Sequence, residues 1–256
     1  MILRFLGTHN AESKNTRLVS FLIDDVLAVD AGSLVSELTF AEQKKIRAIL
    51  LSHGHYDHIG AIPAFAFNNA RRVTKVFGTA QTLQILSSHL IDGVVYPEFT
   101  SDESYLGRAT LQLVELKPFD RQNIEGYEVM AVPVIHPIDA VGFEISSPDG
   151  KRIFYTGDTG PGISTIWKNI SPELIIADVS LPNRLAHLAR DAGHLCPQTL
   201  TEELIEFRRL KGYLPQIVII HLSPQFESEI VEEAKQIVTD LGVSLSVAHE
   251  GDQLVI

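Results

Sequence analysis

Cysteine, basic residues and long apolar runs are all scarce in this sequence, and each scarcity argues against a structural feature or a class of partner. Cys196 is the only cysteine among the 256 residues, so the chain cannot form an intramolecular disulfide. No run approaches the roughly 18 apolar residues that a membrane-spanning helix needs, and no basic start leads into an early apolar stretch. We therefore expect a cytoplasmic protein without a membrane partner.

The charges are unbalanced toward the acidic side. Lysine and arginine total 21 against 32 aspartates and glutamates, which gives a formal net charge of −11. A field of that sign repels polyphosphates, so long nucleic acid is not an expected partner. Short basic groups do occur, and a solvated helix face is the interpretation for the two that lie on predicted helices; the groups are Lys44-Lys45, Arg71-Arg72 and Arg208-Arg209. A small anionic substrate drawn to bound cations remains compatible with this charge.

The most informative stretch reads Ser-His-Gly-His-Tyr-Asp-His-Ile-Gly at residues 52–60 and directly follows an apolar run. Imidazole and carboxylate groups are the ligands that zinc and related metals favour. Side chains alternate along an extended chain, so His53 and His55 are predicted to project to one side. Asp57 and His58 follow after a bend, where they can serve a second, adjacent metal. A solvated surface cluster is the alternative, but such clusters seldom follow a buried strand.

Three further His or Asp residues occupy a common setting, namely His136, Asp158 and His221. Each comes after an apolar run that is typical of a strand: Val129–Ile135, Ile153–Tyr155 and Ile217–Ile220. A single histidine or aspartate at the end of a strand is usually a turn residue. Three of them, added to the first motif, instead predict ligands that converge on one edge of a sheet.

Each half of the chain shows strands followed by helices. The first half contains the predicted strands Ile2–Leu6, Arg17–Ile23, Val26–Val29, Ile46–Leu51 and Val73–Phe77, with Asp24-Asp25 as a hairpin turn. The second half ends with the predicted helices Pro197–Leu210 and Glu227–Leu241. This order suits two sheets packed face to face with helices outside.

Taken together, these motifs resemble the metallo-β-lactamase superfamily, from the Asp30-Ala31-Gly32 turn to the last strand. The resemblance implies an α/β fold, a four-layer αββα sandwich of two mixed β-sheets flanked by helices, as a single metallo-hydrolase domain over residues 1–256. It also implies two divalent metal ions per chain. Zinc is the favoured ion, and manganese or iron fits the same ligands. The implied ligands are His53, His55 and His136 for the first metal, Asp57, His58 and His221 for the second, and Asp158 as a bridge.

The resemblance also narrows the reaction. Asp158 stands where true β-lactamases usually place a cysteine ligand, which is similar to the phosphodiesterase and glyoxalase branches. The segment Gly193-His194-Leu195 resembles one in class II cyclic-nucleotide phosphodiesterases and another in RNase Z. It implies that His194 protonates the leaving oxygen, with Asp178 orienting its imidazole. Asp57 and Asp158 complete the predicted catalytic set. A capping or supporting histidine is the alternative for His194.

Residues 89–100 are similar to the region that lies over the site in the cyclic-nucleotide enzymes. Tyr96 and Phe99 are therefore predicted to stack on a substrate base. Aromatic core packing is the alternative for both. His9, in a loop after the first strand, is expected at the surface. The chain departs from the class II pattern at Tyr56, where that pattern typically has leucine.

The sequence thus predicts a metal-dependent hydrolase, specifically a phosphodiesterase. Its favoured substrate is a 3′,5′-cyclic nucleotide, cAMP or cGMP, hydrolysed to the 5′-monophosphate. RNase Z-like tRNA 3′ processing and acyl or thioester hydrolysis remain alternatives, as does a non-hydrolytic di-iron protein that binds oxygen or acts in redox chemistry. A homodimer is expected from the general frequency of dimers among soluble enzymes.

Overall fold

The structure is a computed structural model that describes residues 1–103 and 107–256. In this part of the chain, the strands form two seven-stranded sheets, each with parallel and antiparallel pairs. The first sheet runs β14 (Gln253–Val255), β1 (Ile2–Gly7), β2 (Ser20–Ile23), β3 (Leu27–Val29), β4 (Ala48–Leu50), β5 (Thr74–Gly78) and β6 (Leu111–Glu115). The second runs β13 (Leu245–Val247), β12 (Gln216–Ile220), β11 (Leu174–Asp178), β10 (Arg152–Tyr155), β9 (Val141–Ser146), β8 (Tyr127–Pro133) and β7 (Arg121–Ile124). The helices are α1 (Phe40–Gln43), α2 (Tyr56–Ile59), α3 (Ile62–Asn68), α4 (Ala80–His89), α5 (Ala186–Ala192), α6 (Pro197–Lys211) and α7 (Glu227–Leu241).

Apolar side chains pack in three layers around these sheets. Between the sheets, residues of both contribute to one buried cluster that includes Phe21 and Phe143. Outside the first sheet lie α3 and α4, which bury Phe65 and Leu86. Outside the second sheet lie α6 and α7, which bury residues such as Phe207. The predicted four-layer αββα sandwich is therefore confirmed. Within the described residues, no helix is both long enough and apolar enough to cross a membrane.

The residues that predict a hairpin turn or a helix end occupy those positions in the structure. Asp24 and Asp25 have φ values of 49° and 60°, as the two central residues of a type I′ hairpin turn require. Pro197 begins α6, and Gly212 ends it in the left-handed conformation with φ 78°. Gly242 ends α7 in the same way, with φ 64°. The two long helices thus have the boundaries predicted from sequence to within a residue.

Several short elements were not predicted, among them β7, α5 and α2. Strand β7 has the sequence Arg-Gln-Asn-Ile and lies at a sheet edge, where only Ile124 is buried. Helix α5 buries Ala189 alone, so it has no apolar stripe that a sequence pattern can reveal. Helix α2 is a single turn of four residues where the sequence predicted a bend. Each of these elements depends on tertiary packing more than on its own residues.

The strand directions bring the predicted ligands to one edge of the molecule. Strands β10, β11 and β12 are mutually parallel, and β8 shares their direction because β9 is antiparallel to both β8 and β10. His136, Asp158 and His221 follow the carboxyl ends of β8, β10 and β12. His53 follows β4 in the other sheet, and the two sheets meet there because the backbone N–H of Val141 donates to the Ser52 carbonyl oxygen at 3.0 Å.

Candidate metal centre

The first donor group comprises His53, His55, His136 and Asp158, whose ligand atoms all lie within 4.8 Å of one another. Nδ1 of His55 is 3.0 Å from Nε2 of His53 and 3.1 Å from Nε2 of His136. Oδ2 of Asp158 is 3.5 Å from Nε2 of His53. His53 and Asp158 are buried, whereas His55 is exposed. The group is therefore open to solvent on the side of His55.

Hydrogen bonds from outside this group leave its imidazole nitrogens free to act as metal ligands. Nδ1 of His136 donates to the Gly193 carbonyl oxygen at 3.1 Å, which leaves a lone pair on Nε2. Nδ1 of His53 lies 3.0 Å from the Ser52 hydroxyl oxygen. Burial holds the pKa of His53 well below its usual value and also lowers the pKa values of His55 and His136. Histidine binds metals in this neutral form.

The second donor group comprises Asp57, His58, Asp158 and His221, again with ligand atoms within 4.8 Å of one another. Nε2 of His221 is 3.2 Å from Oδ2 of Asp57 and 3.3 Å from Oδ2 of Asp158. Nε2 of His58 is 3.3 Å from Oδ1 of Asp158 and 3.6 Å from Oδ2 of Asp57. Asp158 belongs to both donor groups, which is the place that the resemblance gives to a bridging ligand.

The second donor group favours positive charge at its centre. Burial disfavours the charged form of His58, but the carboxylates around it, Asp158 foremost, raise its pKa well above the usual value. Burial likewise opposes protonation of His221, yet Asp158 and Asp178 raise its pKa to about 10. The histidines in turn hold the pKa values of Asp57 and Asp158 well below their usual range, although burial acts to raise them. A divalent cation supplies the same positive charge.

Two buried polar atoms show that this donor set fits a metal ion. Nε2 of His58 and Oδ1 of Asp158 are buried and have no hydrogen-bond partner among the described residues. Leaving such an atom unpaired costs about 1–3 kcal/mol, so these atoms are rare in native proteins. Both atoms face other ligands of the second donor group. A divalent ion among imidazole and carboxylate ligands satisfies both of them.

Asp30, at the end of β3, orients His58 from behind the second donor group. Its Oδ2 lies 2.7 Å from Nδ1 of His58 and accepts the Tyr155 hydroxyl at 2.6 Å. Ser52 donates to the same carboxylate through its backbone N–H and its hydroxyl, both at 2.8 Å. The contact at Nδ1 keeps Nε2 of His58 turned toward the ligands. Asp30 was expected only as part of a turn, although it follows a strand, as Asp158 does.

A second carboxylate, Asp178 at the end of β11, contacts His194 and His221 together. Its Oδ2 accepts Nδ1–H of His194 at 2.8 Å, so the predicted pairing is present. Its Oδ1 is 3.2 Å from Nδ1 of His221, and the Ser180 hydroxyl lies 2.6 Å from both of these atoms. Burial opposes protonation of His194, but Asp178 outweighs it and raises the pKa. Because Asp178 contacts Nδ1 of both rings, Nε2 of His194 and Nε2 of His221 lie on the far side of their rings from Asp178.

Two backbone conformations set the distances in the centre. Gly193 has φ 77°, and a Cβ atom there would lie 2.5 Å from Cδ of Pro137 and 2.8 Å from Nδ1 of His136. Only glycine allows the segment of His194 to pack this closely. His221 is also left-handed, with φ 65°, and its backbone N–H donates to the Thr8 carbonyl oxygen at 2.6 Å. Such a conformation costs about 1–3 kcal/mol in a non-glycine residue and is typical of functional sites.

Phe99 lies away from the metal centre. Phe99 is fully buried, and its carbonyl oxygen accepts the backbone N–H groups of Thr110 and Leu111. Leu111 begins β6, which runs parallel to β5 and β4, so this edge is opposite to the edge of His53. The length of β5 alone separates the two edges by about 16 Å. The predicted stacking of Phe99 on a base is therefore wrong, because its ring belongs to the core. Tyr96, three residues earlier, is exposed, and its predicted contact with a base stays a prediction.

His9 is buried at 3% exposure, so the expectation of a surface histidine is wrong. Its Nδ1 lies 2.6 Å from Oε1 of Glu250, and its Nε2 lies 3.4 Å from Oε2 of Glu227. Burial opposes protonation, but these two carboxylates together raise the pKa of His9. The carbonyl oxygen of the neighbouring Thr8 accepts the backbone N–H of His221, so the contact between His9 and Glu250 stabilises the loop behind a predicted ligand.

The family model of the beta-lactamase superfamily domain matches residues 21–247 of this chain. That range contains both donor groups, Asp30 and Asp178. The chain belongs to this superfamily. This membership agrees with the sandwich of two mixed sheets described above.

Individual proteins are similar at low identity. Residues of this chain are 26% identical over 145 positions to an RNase J-like protein of Methanocaldococcus jannaschii, a match that covers 56% of this chain and 31% of that protein. The chain therefore spans about a third of that relative. A ribonuclease Z of Thermoplasma acidophilum is 22% identical over 277 positions, covering 85% of this chain and 84% of the relative. The crystal structure of unliganded yeast PDE1 superposes with a TM-score of 0.83 at 16% identity, covering 100% of this chain and 99% of that one, which establishes a shared fold.

Proposed function

We propose that the chain is a phosphodiesterase for a small phosphodiester, with a 3′,5′-cyclic nucleotide, cAMP or cGMP, as the favoured substrate. The observation that carries this proposal is the placement of His194. Asp178 holds its Nδ1 at 2.8 Å, and its ring lies 5.4 Å from the ring of His136 and 5.1 Å from that of His221. An oriented imidazole beside both donor groups suits a leaving oxygen that needs a proton.

Each donor group would hold one divalent ion, with Asp158 contacting both. We favour zinc, and the same ligands accept manganese or iron. Bound divalent ions lower the pKa of water and neutralise charge that develops on phosphate oxygens. In the proposed reaction, water adds to phosphorus and the bond to the 3′-oxygen breaks. Asp57, which is half-buried, orients the attacking water, and Nε2 of His194 gives a proton to the departing oxygen. The product is the 5′-monophosphate.

Substrate size is proposed from charge and from the relatives. The net charge of −11 disfavours a long polyanion, and a small phosphodiester brings little charge to repel. The fold of yeast PDE1 agrees with this proposal. RNase Z-like tRNA 3′ processing is the second candidate, because a ribonuclease Z aligns over 85% of this chain. We further propose that residues 1–256 work as one hydrolase domain.

The test is a comparison of substrates with the purified, metal-reconstituted protein. Cyclic AMP, cyclic GMP, bis-p-nitrophenyl phosphate, a 3′-extended precursor tRNA and a thioester are supplied in parallel. We expect turnover of at least one cyclic nucleotide and of bis-p-nitrophenyl phosphate. Cleavage of the precursor tRNA alone would support the second candidate. Cleavage of the thioester alone, or reversible oxygen binding by bound iron without any hydrolysis, would reject both.

A further inference from the structure

A basic depression lies at the edge of the first sheet opposite to the metal centre. It is a surface cavity of about 600 Å³, and its lining residues are Lys44, Asn68, Asn69, Ala70, Arg71 and Arg72. Lys44 follows α1, and the other lining residues occupy the end of α3 and the turn before β5. Strand β5 runs from this edge toward the metal centre, so the two places are separated by about 16 Å or more.

The floor of the basic depression is held in place by Gln43. This side chain is 2% exposed, and its Nε2 donates to the Leu38 carbonyl oxygen at 3.0 Å. Its Oε1 accepts from Nδ2 of Asn68 at 3.1 Å, and its backbone carbonyl oxygen accepts from Nη2 of Arg72 at 3.4 Å. One buried residue therefore connects the ends of α1 and α3 through its side chain and contacts Arg72 through its backbone. The cavity walls are built into the fold and do not depend on flexible surface side chains alone.

The positive charges of the basic depression have no carboxylate partners. Among the described residues, Lys44, Arg71 and Arg72 form no ion pair, and Nε of Arg72 is buried without a hydrogen-bond partner. Burial lowers the pKa of Arg72, and the charge of Arg47 lowers it further, while Glu125 acts weakly in the opposite direction. Like charges gathered in this way destabilise the free protein. Acidic residues outnumber basic ones by 32 to 21 in this chain, so three neighbouring basic residues without a carboxylate partner are unexpected.

We propose that the basic depression is a second binding site, which takes a small molecule carrying a phosphate group. Guanidinium and ammonium groups are the side chains that bind phosphate most strongly. The amides of Asn68 and Asn69 supply polar contacts for the remainder of such a molecule. A cavity of this volume is within the usual range for small-ligand sites. A purely solvated surface at Lys44 and Arg71 would not account for the buried, unpaired Nε of Arg72.

The experiment follows the arginine Nε–H signals by NMR while inorganic phosphate is added to the zinc-loaded protein. The Arg72 signal is assigned from its loss in Arg72→Lys. Phosphate should shift this signal in a saturable way, and sodium chloride at matched ionic strength should not. The double variant Lys44→Gln/Arg71→Gln should raise the dissociation constant for phosphate about tenfold or more, because two exposed charges are removed. Because Lys44 and Arg71 are exposed, the double variant should fold normally.

The matched control is Lys117→Gln/Arg209→Gln, which removes two exposed charges elsewhere. It should keep the wild-type dissociation constant. Hydrolysis of bis-p-nitrophenyl phosphate should be the same in all three proteins, because the metal centre is remote. A shift that does not saturate, an equal shift with chloride, or equal affinities in the two double variants would overturn the proposal.

Discussion

Asp178→Asn is expected to weaken metal binding and proton donation together. The substitution keeps the shape of the side chain but removes a charge that lies 2.8 Å from His194 and 3.2 Å from His221. Loss of a group that orients a ligating histidine lowers metal affinity about 10–100-fold. Loss of a positioned general acid slows the reaction about 100-fold or more. At 1.36 kcal/mol per factor of ten, these effects correspond to about 1.4–2.7 and 2.7 kcal/mol.

Two assays separate the effects. Competition with a chelator measures zinc affinity, and turnover at saturating zinc isolates proton donation. Cyclic nucleotide has a poor leaving group and should slow about 100-fold, whereas bis-p-nitrophenyl phosphate, whose leaving group needs no proton, should slow far less. Asp191→Asn, an exposed carboxylate on α5, is the control and should match wild type. Unchanged zinc affinity, or equal slowing of both substrates, would refute the reasoning.

Three other variants test separate parts of the structure. His194→Ala should slow cyclic-nucleotide turnover about 100-fold while metal content, measured by elemental analysis, stays at the wild-type level; loss of metal would make His194 a structural residue. Asp30→Asn leaves buried donors poorly paired, so urea unfolding of the metal-free protein should show a loss of about 2–3 kcal/mol, and an unchanged midpoint would contradict this. His9→Gln should destabilise the protein most between pH 4.5 and 6.5, the ordinary values of the glutamate and histidine pKa. Because the pKa of His9 is raised on folding, the stability difference between the two proteins decreases as pH rises above 6.5. Because the pKa of Glu250 is lowered to about 2, the same difference also decreases as pH falls from 4.5 toward about 2. Urea midpoints across this range that run parallel in the two proteins would contradict the ion pair.

The convergence of the predicted ligands could be anticipated from sequence, because each donor motif follows an apolar strand. Strand direction then determines that His53, Asp158 and His221 meet at one edge. The same reasoning applied to Asp30 would have identified its role, since it also follows a strand. Helix ends were predictable wherever proline or glycine marks them, as at Pro197 and Gly212.

Other features depend on contacts between distant parts of the chain. His9 is buried by Glu250, which lies 241 positions away, and no local pattern indicates that pairing. Phe99 follows an exposed loop, yet its backbone joins the start of β6 and its ring enters the core. The shared hydroxyl of Ser180 was equally hidden, because it requires β11 and β12 to be neighbours.

Metal stoichiometry tests the central claim most directly. The two donor groups should bind two zinc ions per chain in the reconstituted protein, measured by elemental analysis against protein concentration. His136→Ala should reduce the content by one through the first donor group, and Asp57→Ala should reduce it by one through the second. A wild-type protein that holds a single ion or none, or variants that keep both, would contradict a centre built from these seven side chains.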